Sequence, residues 1–217
     1  MSAGGASLRL VLVGAGGHAK VVLEAVRAAG LGEVVGLVDP APNAGPVLGA
    51  PVLGGDEVLP RLRAEGVGAV VALGGNALRE RVGLRLREMG FALPAVVHPS
   101  ALVSPSARVS EGAVVMARAV VGAETLVGEL AIVNTGAVLD HDNRLGRAAH
   151  VAPGCALAGN VLVGDRALVG VGSAVRPGTR IGADAVVGAG SAVVREVPAG
   201  ATVGGAPARP LRRGPRA

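Results

Sequence analysis

The sequence predicts a small alternating α/β domain followed by a parallel β-solenoid, and three observations carry that prediction. A branched aliphatic residue recurs at every sixth position from Val97 to Val193, seventeen times without a polar interruption. A second register, two residues earlier, is almost entirely small, running through Ala101, Ala113, Ala131, Ala149, Cys155, Ala167 and Ala185 with Thr125 and Asn143 among them. Before Val97 the pattern changes to short apolar runs separated by glycine loops and helical stretches.

A period of six fits neither a helix nor a hairpin sheet. It fits a solenoid in which each unit makes one short strand and one turn. The bulky residue fills the interior, the small one lets the chain turn, and successive coils pair their backbones along the axis. Three units make a coil of eighteen residues, so the repeat spans a little under six coils with no insertion. Glycine follows the aliphatic position at Gly122, Gly128, Gly146, Gly164, Gly170, Gly182 and Gly188, which predicts unusual backbone angles at those corners.

In the first part of the chain, Leu8 to Val13 reads as a buried strand running into the loop Gly14-Ala15-Gly16-Gly17-His18. A helix follows with Val21, Val22, Ala25, Val26 and Ala29 as its apolar positions, ending near Gly30. Val34 to Asp39 and Gly68 to Leu73 read as two more strands. Asp56 to Glu65 reads as a helix interrupted by Pro60, and Asn76 is placed to cap a helix reaching Met89. Phe91 to Val97 is either the last strand or the lead into the solenoid. Strands alternating with helices predict a small parallel sheet. The expected domains are residues 1–95 and 96–217.

Gly14, Gly16 and Ala19 match the spacing G-x-G-x-x-A, and Asp39 lies twenty residues past Ala19. Taken alone, that pattern describes a dinucleotide site and an oxidoreductase. The domain lacks the second half such a site requires. The loop is better read as a phosphate cradle at a helix N-terminus.

Composition narrows the classes further. Half of the 217 residues are hydrophobic, Trp and Tyr are absent, and Phe91 is the single Phe. The interior is therefore Val, Leu and Ala, and nucleic-acid binding by base stacking has no platform. The net charge of +5 owes most of its excess to Arg209, Arg212, Arg213 and Arg216 in the tail. Cys155 falls in the small register, where a buried spacer is expected rather than a nucleophile, and one cysteine allows no internal disulfide. No apolar run is long enough for a membrane span and no signal-peptide pattern opens the chain, so a cytoplasmic location is expected. No metal site is expected.

The repeat, together with "NTGAVLDHDNRLG", "HVAPGCALAGNVLVG" and "GGAPARP", resembles the hexapeptide-repeat acyltransferases. Within them it is most similar to the sialic acid O-acetyltransferase and bacillosamine/perosamine N-acetyltransferase group, over roughly residues 8 to 210. The resemblance implies an α/β Rossmann-like N-terminal domain followed by a left-handed parallel β-helix. Left-handedness comes from the resemblance alone, since the general crossover rule favours the right hand. It also implies a homotrimer with acetyl-CoA lying between neighbouring subunits, and a nucleotide-sugar substrate held by the N-terminal domain. In that picture Gly14, Gly16, Gly17 and His18 line the substrate loop and Asp39 sits near the base or ribose. Asn76 and Arg79, in Gly74-Gly75-Asn76-Ala77-Leu78-Arg79, match a family pattern in part and are implied as further substrate contacts.

His141 is the candidate catalytic residue among four histidines. His98, beside Pro99, is expected to have a structural role. His141 lies between Asp140 and Asp142, and an imidazole near neutral pH suits general-base work in acyl transfer. The family places a carboxylate, commonly Glu, directly after the histidine to orient it. Here that residue is Asp142, one methylene shorter, and Asp140 stays an alternative. One coil above His141 lies Gly159, a gap that admits a thioester and offers an amide to its oxyanion. Asn160 stacks on Asp142. His150 is half a coil from His141 and Asn134 more than one face away, so both are assigned to acetyl-CoA across a subunit interface.

The function expected is acetyl-CoA-dependent N-acetylation of a nucleotide-linked aminosugar. O-acetylation of a sialic-acid-type sugar and a non-catalytic trimeric solenoid or nucleotide-binding module are the alternatives.

Overall fold

The computed structural model describes residues 8–41 and 45–211, so Arg212, Arg213 and Arg216 lie outside the described residues. The chain divides into two compact units that meet in sequence at Val96 and Val97.

The first unit is a three-stranded parallel sheet with helices. Its strands are β1 (Arg9–Val13), β2 (Glu33–Val38) and β3 (Gly68–Val71), ordered β2-β1-β3. β1 is central, pairing Leu10 with Val34 on one side and with Gly68 on the other, and is buried from Leu10 to Val13. Helix α1 (Gly17–Ala28) buries Ala19, Val22, Leu23 and Val26. That is the i, i+3, i+4, i+7 stripe of a helix lying on a core. Val21, expected on this face, is instead 41% exposed, because the stripe begins at Ala19 and leaves it on the solvent side.

Helix α2 (Leu59–Ala64) follows a short 3₁₀ turn over Asp56–Val58. Pro60 stands in its first turn, where the missing N–H breaks no helical bond, so the proline starts the helix rather than interrupting it. Helix α3 (Asn76–Glu88) has Gly75 as its N-cap. Asn76 is not the cap, because its side-chain oxygen accepts a bond from Arg79 Nη2 at 2.9 Å. Between Phe91 and Val97 only Val96–Val97 is strand, so this segment is the lead into the solenoid.

The second unit repeats two-residue strands every six residues on three parallel sheets. Neighbours are one coil apart: Ile132 pairs with His150, Val138 with Ala156 and Arg144 with Leu162. The second residue of each strand points inward, and Val115, Val133, Leu139, Leu157, Val169 and Val187 form a continuous buried column. Val97, Val103 and Val109, in the first coil, are only partly buried. Cys155 is buried as a spacer, with its thiol donating to the Gly170 carbonyl at 3.0 Å, and burial pushes its pKa up.

The corner glycines act differently from the expectation. Left-handed φ falls three residues after the aliphatic position, at Arg118, Glu124, Leu130, Asp142, Ala148, Asn160, Arg166 and Asp184 as well as at Gly136, Gly154 and Gly172. Gly128, Gly146 and Gly164 are needed for space instead. A Cβ on Gly128 would stand 2.5 Å from the Leu145 carbonyl, and one on Gly164 would stand 2.4 Å from the Ala183 nitrogen. The next coil passes too close there for any side chain.

Candidate active site

His141 sits on the corner between the strands Val138–Leu139 and Arg144–Leu145. Its Nδ1 lies 2.7 Å from Asp142 Oδ2. Asp140 turns the other way, and its Oδ1 accepts the His141 backbone N–H at 2.9 Å. Asp142, held at φ 57°, is therefore the carboxylate on the ring despite its short side chain, because the left-handed backbone swings it toward the imidazole. The hydrogen bond to Asp142 raises the His141 pKa above 6.5, and the charges of Asp140 and Asp142 add to it. With Nδ1 engaged by a carboxylate, Nε2 is the nitrogen free to take a proton.

That nitrogen faces Gly159. A Cβ on Gly159 would lie 2.4 Å from both Cε1 and Nε2, so the ring occupies the space a side chain would fill. Among the described residues no acceptor is bonded to the Gly159 N–H. The Gly159 amide is thus an available donor on the corner that faces the imidazole. The surrounding groove, of about 960 Å³, is lined by His141, Asp142, Asn160, Glu124, Arg108 and Arg144, among others. Asn160 lies one coil from Asp142, with its N–H bonded to the His141 carbonyl at 2.9 Å.

Asn134 and His150 lie elsewhere on the coil. Asn134 Nδ2 is 3.0 Å from His150 Nε2, so the two form a pair with each other. Neither lines the groove that contains His141. His98 is tied into its own turn, its Nδ1 accepting from the Ser100 N–H at 3.1 Å.

In the first unit, the glycine loop joins β1 to α1. Gly14 has φ 112°, and a Cβ there would meet the Ala72 carbonyl oxygen at 2.9 Å, so the turn itself requires glycine. Gly16 and Gly17 have nothing within 4 Å of a built Cβ, so the space beside them is open. Asp39 fastens the loop: Oδ2 accepts the Ala15 N–H at 2.7 Å and Oδ1 accepts the Ala41 N–H at 2.9 Å. His18 is half-buried near Gly74, and burial together with the Arg79 charge lowers its pKa.

Arg79 is 1% exposed, and burial lowers its pKa to about 10. Its guanidinium donates to the Leu73 and Gly74 carbonyls at 3.0 Å each and to Asn76. Arg79 thus forms a buried clasp that shapes the loop after β3, with the partly buried Asn76 as one of its partners.

Several site residues escaped the sequence reading. Arg108 and Arg144 line the groove because the first residue of each strand points outward, a parity visible in the repeat itself. Thr125 and Asn143 lie buried beneath the histidine corner, among the few polar residues of a mostly small apolar register.

Residues 9–86 match the family described as the PglD N-terminal domain. No curated protein matches the chain. Among solved structures, a histidine-to-alanine mutant of GDP-perosamine N-acetyltransferase from Caulobacter crescentus, in complex with CoA and GDP-perosamine, is 49% identical. It superposes with a TM-score of 0.91, over 97% of this chain and 98% of that one. The acetyltransferase domain of PglB from Neisseria gonorrhoeae, in complex with acetyl coenzyme A, is 40% identical with a TM-score of 0.91, over 94% of this chain and all of that one. WeeI from Acinetobacter baumannii is 25% identical with a TM-score of 0.81. On this likeness the chain belongs to the hexapeptide-repeat, left-handed β-helix N-acetyltransferases with a PglD-type N-terminal domain, and it is an acyltransferase.

Proposed function

We propose that the protein transfers the acetyl group of acetyl-CoA to the amino group of a nucleotide-linked aminosugar, with His141 as general base and Asp142 orienting it. The observation that carries this reading is the His141–Asp142 pair, whose free ring nitrogen faces the Gly159 gap in an open groove. Relatives bound to CoA with GDP-perosamine, or to acetyl coenzyme A, support the choice of substrates.

The amine nitrogen attacks the thioester carbonyl carbon as His141 Nε2 removes an N–H proton. The oxyanion that forms accepts a hydrogen bond from the Gly159 amide, a donor aimed where charge develops. Collapse restores the carbonyl and breaks the C–S bond, and the imidazolium returns its proton to the departing thiolate. Asp142 holds the ring in one tautomer and stabilises its charged form. Arg108 and Arg144, on the groove wall, supply positive charge to the cofactor phosphates.

Gly16, Gly17 and the α1 N-terminus bind the nucleotide phosphates. Gly14 and Asp39 keep that loop in shape, Asn76 and Arg79 shape the neighbouring one, and His18 contacts the substrate. The working form is a cytoplasmic homotrimer serving polysaccharide biosynthesis, in which the Asn134–His150 pair of one subunit meets acetyl-CoA beside His141 of the next. An uncharged outward column of Leu102, Val120, Val138, Ala156 and Ala174 supports such an assembly. No described helix is long and apolar enough to cross a membrane.

The test is a panel of UDP-, GDP- and dTDP-linked aminosugars incubated with acetyl-CoA and read by mass spectrometry. A single acetyl addition to one of them, matched by thiol release, is expected. Acetylation of a sugar that has only hydroxyl groups, with the aminosugars untouched, contradicts the reading.

A further inference from the structure

At most corners of the solenoid the small inner residue closes the turn with one backbone bond, from its own N–H to the carbonyl three residues back. Ala137 bonds Asn134 in this way, Ala149 bonds Gly146 and Cys155 bonds Ala152. At the corner carrying His141 that bond is replaced by side chains. The Asn143 N–H donates to Thr125 Oγ1 at 3.3 Å. The Asp140 carbonyl accepts instead from Thr125 Oγ1 and from Asn143 Nδ2, each at 2.8 Å. Nδ2 also approaches the His141 carbonyl at 3.5 Å.

The corner one coil above is altered by the same amide, since the Val161 N–H donates to Asn143 Oδ1 at 3.0 Å. That corner carries Gly159 and Asn160. Asn143 and Thr125 are both fully buried. A related replacement occurs at Ser173 and Ser191, on a corner with no histidine. The register accepts alanine at most of its positions, so the fold does not demand a polar side chain here. A buried amide is costly unless its hydrogen bonds are met, and every group of Asn143 is bonded.

We propose that Asn143, seated on Thr125, is the positioning residue of the catalytic pair, fixing the backbone under His141 and the Gly159 corner above it in one mutual spacing. The proposal rests on the reading of His141 as base. Its amide bonds the Asp140 carbonyl on the histidine's corner and the Val161 N–H on the corner that carries Gly159. A displacement of about 1 Å between reacting groups costs turnover by up to about a hundredfold. Asp140 and Asp142 share the histidine's own corner, while Glu124, Arg108 and Arg144 line the groove it faces. Loss of the clamp lets the ring drift from Asp142, the partner that holds its proton.

The test compares Asn143→Ala, Thr125→Val and Thr125→Ser in the full chain. The readouts are the His141 imidazole titration by NMR, kcat, and KM for each substrate. Asn143→Ala and Thr125→Val are expected to lower kcat about 10–100-fold with KM changed less than about twofold. Both are expected to shift the imidazole titration to lower pH. Thr125→Ser keeps the hydroxyl and is expected to behave like wild type. A lower melting temperature with unchanged titration and kcat in the first two would overturn the proposal and leave a structural role only. Should Asn143→Ala not fold, the two Thr125 variants decide by the same readouts. The titration needs no substrate, so it stands even if the reaction assigned above is wrong. Full turnover in His141→Ala would remove the base without moving that titration result.

Discussion

At the scale of single residues, the proposed chemistry depends on two positions of the repeat. Asp142 takes the left-handed φ found at most corners and uses it to bring a short carboxylate onto Nδ1 of its neighbour. Gly159 leaves out a side chain where the imidazole must lie. The first has a pH consequence. His141 must be neutral to accept a proton, and its pKa is raised by Asp142, so kcat should fall as pH drops through that raised value. Asp142→Asn removes the largest cause, so the acidic limb should move to lower pH while the plateau falls, because the imidazolium loses its partner. Asp140→Asn, which removes no bond to the ring, should move the limb less. A pH–rate profile of the three proteins checks this ordering.

Gly159 yields a second residue-scale prediction. The atoms a Cβ would strike belong to the exposed His141 side chain, which can swing away, so Gly159→Ala should melt close to wild type and lose most of its turnover. Gly159→Leu should also block acetyl-CoA. Calorimetry showing unchanged acetyl-CoA affinity in Gly159→Leu would place the cofactor elsewhere.

At the scale of elements, the hexads show why some of the structure could be read in advance and some could not. The aliphatic column from Val97 to Val193 is a one-dimensional pattern, and burial follows it directly from Val115 onward. His141 and its Gly159 gap were legible because eighteen-residue stacking turns sequence distance into neighbourhood. The glycine corners misled, because composition marks a missing side chain without telling whether angle or space requires it. The same limit hid the burial of Arg79, which motif spacing does not reveal. It hid Asn143 as well, since a hydrogen bond crossing coils depends on side-chain geometry. The glycine distinction is measurable. Gly164→Ala drives a Cβ into backbone of the next coil and should cost about 3 kcal/mol or more. Gly154→Ala faces open space at φ 66° and should cost only about 1–2 kcal/mol. Urea unfolding of the two variants should rank them in that order, and the reverse order would refute the crowding argument.

At the scale of the whole molecule, the solenoid holds two polar sets on separate corners, His141 with Asp142 and Asn134 with His150. Stacking keeps them apart within one chain, so a shared role requires a neighbouring subunit. Mixing His141→Ala chains with Asn134→Ala/His150→Ala chains, each nearly inactive alone, should restore part of the activity once native mass spectrometry shows exchange. Exchanged assemblies that stay inactive would mean that the pair does not serve a neighbour's site.

The central claim is that the His141 imidazole takes the proton from the attacking amine, and its most direct test is the turnover of His141→Ala with an aminosugar substrate that the wild-type protein acetylates. A corner side chain that is more than half exposed adds little to the aliphatic column, so the variant should fold as wild type does. Its kcat should fall by about 10²–10⁴-fold, the usual contribution of a positioned general base. A folded His141→Ala protein turning over at close to the wild-type rate would contradict the account.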